Sequence, residues 1–351
     1  MKNIGMENEP SIYRSFMVTG IRRETSNAKT FEIVPADGGQ VEYHAGQFIT
    51  LVFKNGQKEN RRSYSFSSAP VLGEPMRITI KRVANGEYSR PLLSNLKVGD
   101  TLQSSGVAGF FRLPDELNGF EQLMFLAAGS GITPVFALLK TVLHTTDLSV
   151  ILLYSNYSEE DTIFYDELIA MQSKFSKRFK IEFLFSQSAT RRRRFSKVLL
   201  NELLSLHVIP LQRTLFYVCG PESYMLVAGI SLITAGVPAQ HIRKENFNTR
   251  PHVFKPIPPD TDLHRVKVLL NGNQFGFDVQ YPDTILAAAK KLHIHLPYSC
   301  EAGNCGSCTA TCVKGITWMA YNEVLMDEEI KKGKVLTCQA FPVGGDVELE
   351  F

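Results

Sequence analysis

Three cysteines at a fixed interval constrain this chain more than anything else in it. Within YSCEAGNCGSCTATCV, residues 298–313, Cys300, Cys305 and Cys308 follow C-x4-C-x2-C, and Cys338 comes later in KVLTCQAF. That is the plant-type spacing for thiolates around a [2Fe-2S] core. Zinc also accepts four thiolates, but its sites usually present two short cysteine knuckles, and only one such pair occurs here. Gly303 and Gly306 suit a loop that curls around an inorganic core, because glycine takes positive φ freely. Thr309, Ala310, Thr311 and Val313 around Cys312 favour a strand leaving the loop. At about 3.3 Å per extended residue, Cys312 then lies roughly 13 Å beyond Cys308, too far to share one iron. A helix would remove that objection, since i and i+4 share a face. The strand reading makes Cys312 a small core residue.

The remainder of the chain decides what such a centre would do. A length of 351 residues favours two or three domains. The composition is 44% hydrophobic and 21% charged, with no apolar run of about 18 residues, as expected of a soluble globular protein. The stretch MKNIGMENEPSIYRS lacks the apolar core of a signal peptide. A cytoplasmic location is therefore expected, where six cysteines suit metal ligation or free thiols better than disulfides. A net charge of +3 carries no nucleic-acid footprint. From Leu263 onward there are eight basic and ten acidic side chains, so a mildly acidic tail follows a mildly basic body.

The clearest boundary is PHVFKPIPPDTD, residues 251–262, a proline-rich linker. Residues 11 to 116 hold short alternating or β-branched runs (FMVTGI, TFEIVPA, QFITLVF, MRITIKRV, TLQSSGV) between turn residues, the pattern of an antiparallel barrel. Residues 121–250 alternate continuous apolar runs (QLMFLAA, LSVILLYS, KIEFLFS, TLFYVCG) with helical segments, which implies a doubly wound parallel sheet. After the linker, HRVKVLL and FGFDVQ form a strand pair and a helix starts at Pro282-Asp283-Thr284. The expected domains are 8–118, 119–250 and 263–351.

Two further stretches carry chemistry. Arg62-Ser63-Tyr64-Ser65, with Ile80-Lys81-Arg82 and Gly86 to Ser89 behind it, offers a stacking ring, hydroxyls and phosphate-pairing cations. Taken alone, such a run also suits a surface edge with one buried tyrosine. In LAAGSGITPVFALL a buried strand meets a glycine turn at Gly129 and Gly131, and a helix opens near Pro134. Backbone N–H groups and the helix dipole bind a dinucleotide pyrophosphate in that arrangement. Cys219-Gly220-Pro221 in FYVCGPESYM lies at a strand's carboxyl end, where such sheets expose ligands, although a free cysteine is as often simply packed.

In this order the motifs resemble the ferredoxin-NADP reductase superfamily, specifically members with a C-terminal plant-type ferredoxin domain such as the epoxidase, oxygenase and hydroxylase reductases. The resemblance runs from Ser11 to Phe351. It implies an antiparallel β-barrel flavin domain, an α/β doubly wound nucleotide domain and a β-grasp ferredoxin domain. It also implies FAD held by Arg62, Tyr64, Ser65, Ile80, Lys81, Arg82, Gly86 and Ser89. Gly129, Gly131, Thr133, Pro134, Cys219, Gly220 and Pro221 would hold the nicotinamide nucleotide, and Cys300, Cys305, Cys308 and Cys338 the cluster. Ser65, Cys219, Glu245 and Phe247 fall at the reacting centre. A flavin converts hydride into single electrons, so the implied route is NADPH or NADH to FAD to cluster. The implied acceptor is an oxygenase, hydroxylase or desaturase. The alternative is a stand-alone ferredoxin-type reductase or diaphorase.

Nicotinamide choice turns on Arg191 to Arg194, which follow KIEFLFS. Arginine there, Arg193 and Arg194 in particular, would pair a 2′-phosphate and favour NADPH. A solvated basic loop or a docking patch for an acidic partner explains the same run equally well.

Overall fold

The computed structural model describes residues 13–56, 58–187, 194–207, 210–248 and 256–351. The first unit contains β1 (Arg14–Thr25), β2 (Ala28–Pro35), β3 (Phe48–Asn55), β4 (Lys58–Ser65), β5 (Arg77–Lys81), α1 (Ser89–Asn95) and β6 (Thr101–Ala108). Its antiparallel sheet runs β4-β3-β6-β1-β2-β5, and a bridge from Phe66 to Ile78 joins the two ends into a barrel. Closure removes the free edges. Phe16, Val18, Phe31, Ile33, Ile49 and Leu51 fill the interior through the period-2 alternation of their strands.

The second unit is β7 (Gln122–Ala128), α2 (Ile132–Thr145), β8 (Ser149–Asn156), α3 (Tyr165–Lys174), β9 (Phe179–Phe185), α4 (Lys197–His207), β10 (Thr214–Cys219), α5 (Glu222–Thr234) and β11 (Ile242–Glu245). All five strands are parallel, in the order β11-β10-β7-β8-β9. Helices α2 and α3 close one core and α4 and α5 the other, so the central strands are buried on both faces. That double burial is why QLMFLAA and TLFYVC contain almost no polar residue.

The third unit holds β12 (His264–Leu270), β13 (Asn273–Val279), α6 (Ile285–Lys291), β14 (Thr309–Lys314), β15 (Thr317–Met319), α7 (Asp327–Lys331), β16 (Lys334–Leu336), β17 (Ala340–Pro342) and β18 (Val347–Glu350). Its sheet runs β13-β12-β18-β14-β16, with α6 packed on the same core. Thr284 caps α6 by accepting from the Ala287 N–H at 3.2 Å. Residues 251–255 of the expected linker lie outside the described residues. Asp260 at its far end accepts from His264 Nε2 at 2.7 Å and from the Gly344 N–H at 2.6 Å, which ties it to the third unit. Among the described residues, no helix is long and apolar enough to cross a membrane.

Candidate functional site

The site grows from β4, whose alternation sends Arg61, Ser63 and Ser65 to one face and Arg62 and Tyr64 to the other. On the first face Ser65 Oγ donates to Glu245 Oε2 at 3.1 Å. The Ser63 and Ser299 hydroxyls lie 2.8 Å apart, and Arg61 Nη1 donates to the Tyr298 carbonyl at 3.0 Å. One barrel strand thereby meets both the last strand of the parallel sheet and the run leading into Cys300. On the second face the Arg62 guanidinium lies 4.7 Å from the Tyr88 ring centroid. Burial raises the Tyr64 hydroxyl above its ordinary pKa.

Ser63, Ser65, Glu245, Phe247, Cys300 and Cys305 all line one small cavity at this junction. Glu245 sits beside Cys219 in the parallel register of β10 and β11. Burial pushes the Glu245 carboxyl up to about 8, against the opposing hydrogen bond from Ser65. Cys219 is wholly buried; burial first and the neighbouring Glu245 second raise its thiol well above the usual value. The junction therefore holds a neutral carboxylic acid at pH 7, hydrogen-bonded to a hydroxyl and capable of giving up a proton.

The glycine turn lies on the parallel sheet's carboxyl edge. Gly129 to Gly131 form one 3-10 turn between β7 and α2. A Cβ on Gly131 would stand 2.1 Å from the Cys219 carbonyl oxygen, so only glycine lets the turn pack against the end of β10. Thr133 Oγ1 donates to the Ser130 carbonyl at 2.9 Å, and Tyr154 OH donates to the Gly129 carbonyl at 3.0 Å. Lys81 reaches over from the barrel; its Nζ lies 3.4 Å from where a Gly129 Cβ would stand, and burial lowers its pKa. Asn156, ending β8 on the same edge, has both side-chain amide atoms buried without a partner. Such an orphaned amide beside an open glycine turn fits a bound nucleotide. Gly220 and Pro221 lead from β10 into α5, whose N-cap is Pro221.

The four spaced cysteines come together as two pairs. Cys305 hydrogen-bonds Cys300, which also receives the backbone N–H groups of Ala302, Asn304 and Cys305; the pKa of Cys300 falls to about 6. Cys308 is paired with Cys338, and that contact together with burial raises the Cys308 thiol. Gly303 and Gly306 take φ of 76° and 74° within the loop. Among the described residues, no group of three or more His, Cys, Asp or Glu converges to hold a single metal ion. Two thiol pairs inside a shell of backbone donors fit a two-iron centre better than one tetrahedral zinc. Cys312 stands apart on β14, half-buried at the rim of the domain core rather than inside it, its Sγ 3.4 Å from the Lys314 carbonyl.

Some expected positions fall elsewhere. The Ile80 side chain is 1% exposed in the barrel core, so strand alternation leaves only its backbone to meet a ligand. Arg82 is exposed and shares a basic cleft of about 330 Å³ with Arg23 and Lys29. Ser89 Oγ accepts from the Val83 N–H at 3.1 Å and packs against Gly86, where a Cβ would stand 2.3 Å from that oxygen. Pro134 is buried in α2. Arg193 lies outside the described residues, and Arg194 is exposed. Sequence reasoning does not find Arg61 or Ser299, nor that Ser63 meets Ser299. No local pattern marks residues that acquire a role through partners more than 230 positions away.

Known proteins agree with this geometry. Residues 16–113 match the oxidoreductase FAD-binding domain, 125–228 the oxidoreductase NAD-binding domain and 268–343 the 2Fe-2S iron-sulfur cluster binding domain. The chain is 29% identical over 345 residues to the ferredoxin reductase component of 3-ketosteroid-9-alpha-monooxygenase from Rhodococcus rhodochrous, covering 95% of each. It is also 29% identical over 353 residues to one of the subunits of 1,2-phenylacetyl-CoA epoxidase from Escherichia coli strain K12, covering 97% of this chain and 98% of the other. The fold of phthalate dioxygenase reductase matches with a TM-score of 0.60 at 21% identity, over 97% of this chain and 98% of that one. An intact type IV self-sufficient cytochrome P450 monooxygenase matches with a TM-score of 0.73 at 22% identity, over 96% of this chain, which spans 41% of that longer one. The chain thus carries an oxidoreductase FAD-binding domain, an oxidoreductase NAD-binding domain and a 2Fe-2S iron-sulfur cluster binding domain on one polypeptide.

Proposed function

We propose that this protein is the reductase component of an oxygenase system, taking electrons from NAD(P)H and delivering them singly to an oxygenase, hydroxylase or desaturase. The carrying observation is the shared cavity: Ser65 and Glu245 line it from the flavin side, Cys300 and Cys305 from the other. FAD, when bound, accepts the two electrons of a hydride and releases them one at a time to an iron-sulfur centre. Arg62 and Tyr64, with the Gly86 to Ser89 turn, hold that cofactor. Gly129, Gly131 and the Cys219-Gly220-Pro221 turn hold the nicotinamide nucleotide, with Lys81 facing the same edge. Cys300 with Cys305 and Cys308 with Cys338 carry the cluster as two pairs. With FAD bound, Glu245, protonated at neutral pH, and the Ser65 hydroxyl hydrogen-bonded to it would be the groups able to supply a proton at the ring's edge. Phe247 covers the cavity.

The partner assignment draws on the relatives, which are named as components of a monooxygenase and an epoxidase. A cytoplasmic location is supported by six unpaired cysteines. The test is an anaerobic titration of purified protein with NADPH, followed in the visible range. Flavin bands over a broad iron-sulfur absorption, both bleached by NADPH, are expected. A colourless, zinc-loaded protein overturns the reading.

A further inference from the structure

We propose that Arg61 and Tyr298 form a clamp that seats the cluster-bearing domain on the barrel, and that Arg61 is a positioning residue for the flavin-to-cluster step alone. The proposal rests on the functional reading above. Arg61 is only 5% exposed although it carries a full charge. Its guanidinium donates to Glu59 Oε1 at 2.7 Å and to Tyr13 OH at 3.2 Å within the barrel. The Tyr13 ring centroid lies 5.6 Å from the guanidinium carbon on the barrel side, and the other domain supplies the Tyr298 carbonyl at 3.0 Å and the closer Tyr298 ring, its centroid 3.6 Å away. Lys290 Nζ lies 4.4 Å from the same ring and is itself paired with Glu301 at 2.8 Å.

A buried guanidinium is stable only when its donors are satisfied and its plane is covered. Separating the domains strips this one of a carbonyl and its stacking surface, so the docked arrangement is held by those two contacts against the cost of taking the charge out of water. Tyr298 is two residues from Cys300, and Ser299 between them bonds to Ser63. The clamp thus fixes the backbone that presents Cys300 to the cavity shared with Ser65. It makes no contact with the Gly129 to Gly131 turn, so hydride delivery does not depend on it. Each crossing removes one electron from the reduced flavin and adds one to the cluster. NAD(P)H supplies both electrons, and no other reductant is needed.

The test uses the full-length holoenzyme and the Arg61→Met and Tyr298→Ala variants, mixed anaerobically with NADPH in a stopped-flow instrument. Flavin bleaching should keep its wild-type rate while cluster reduction slows by about tenfold or more, the scale of losing one partner of a buried charged contact. Hydrogen exchange across residues 296–304, measured on oxidised enzyme without reductant, should accelerate in both variants. Tyr298→Phe keeps the ring and the carbonyl and loses only the long 3.5 Å contact of the hydroxyl with Glu59 Oε1, so it should stay within about twofold of wild type in both readouts. Unchanged cluster reduction and exchange in the variants overturn the clamp, as does equal slowing of flavin bleaching. Should Arg61→Met not fold, Tyr298→Ala reports the same two quantities from the other side. A wild-type protein whose cluster NADPH never reduces defeats the functional reading instead.

Discussion

Glu245 shows at the scale of one residue what the fold does to ordinary chemistry. Burial lifts its carboxyl from 4.5 to about 8. An acid whose folded pKa exceeds its unfolded one binds its proton more tightly when folded. Its full stabilising share is present below about pH 4.5 and is lost as pH rises towards 8. The shift corresponds to about 5 kcal/mol at most. Denaturant midpoints measured at several values between pH 5 and 8.5 should fall for wild type relative to Glu245→Gln, which has no proton to lose and keeps the oxygen facing Ser65. Parallel curves would show that Glu245 titrates normally. Arg194 is the opposite case, exposed and free to adapt. If it and Arg193 pair a 2′-phosphate, the double variant Arg193→Ala, Arg194→Ala should lower kcat/KM for NADPH by about tenfold while sparing NADH. An unchanged preference would assign the run to the solvated loop.

Between residues and domains, much was legible, but β4 of the barrel and β11 of the parallel sheet were not. The continuous apolar strands and their alternating helices are visible in residues 121–250 because burial on both faces demands apolar side chains throughout. β4 is absent from the apolar runs of the barrel, since KENRRSYS places arginines and serines where its neighbours place valine and isoleucine. Only Tyr64 packs against the barrel core, while Arg61, Ser63 and Ser65 reach partners in the other two domains, so core periodicity does not reveal the strand. The cysteine loop was legible through spacing, whereas its pairing came from the fold. Thr337 beside Cys338 donates both its N–H and its hydroxyl to the Cys308 carbonyl, at 3.1 and 2.9 Å, which draws the connection after β16 onto the loop. β14 meanwhile carries Cys312 away. Cys338→Ser should therefore lose the visible iron-sulfur absorption and at least half the bound iron, while Cys312→Ser keeps both. Iron analysis with a visible spectrum decides it, and retention of the cluster in Cys338→Ser would remove that residue from the ligand set.

How the domains sit together is the part that composition and spacing do not encode, because it rests on contacts such as Ser63 with Ser299, 236 positions apart. In the docked arrangement Cys300, Cys308 and Cys338 are 7%, 2% and 4% exposed, and Cys305 is half-buried at the wall of a cleft. If the cluster passes electrons to a second protein from a more open position, the third domain must leave this one, and the proline-rich sequence before it would serve as the tether. The two serine oxygens, 2.8 Å apart, mark Ser63→Cys with Ser299→Cys as the pair with which to cross-link the junction. Locked this way, the protein should still bleach both flavin and cluster with NADPH, because the electron path into the cluster stays closed up. Reduction of a protein acceptor should slow by about tenfold or more and recover when the disulfide is reduced, since only the exit needs the swing. Acceptor turnover that is identical before and after locking would mean that the docked position already delivers the electron.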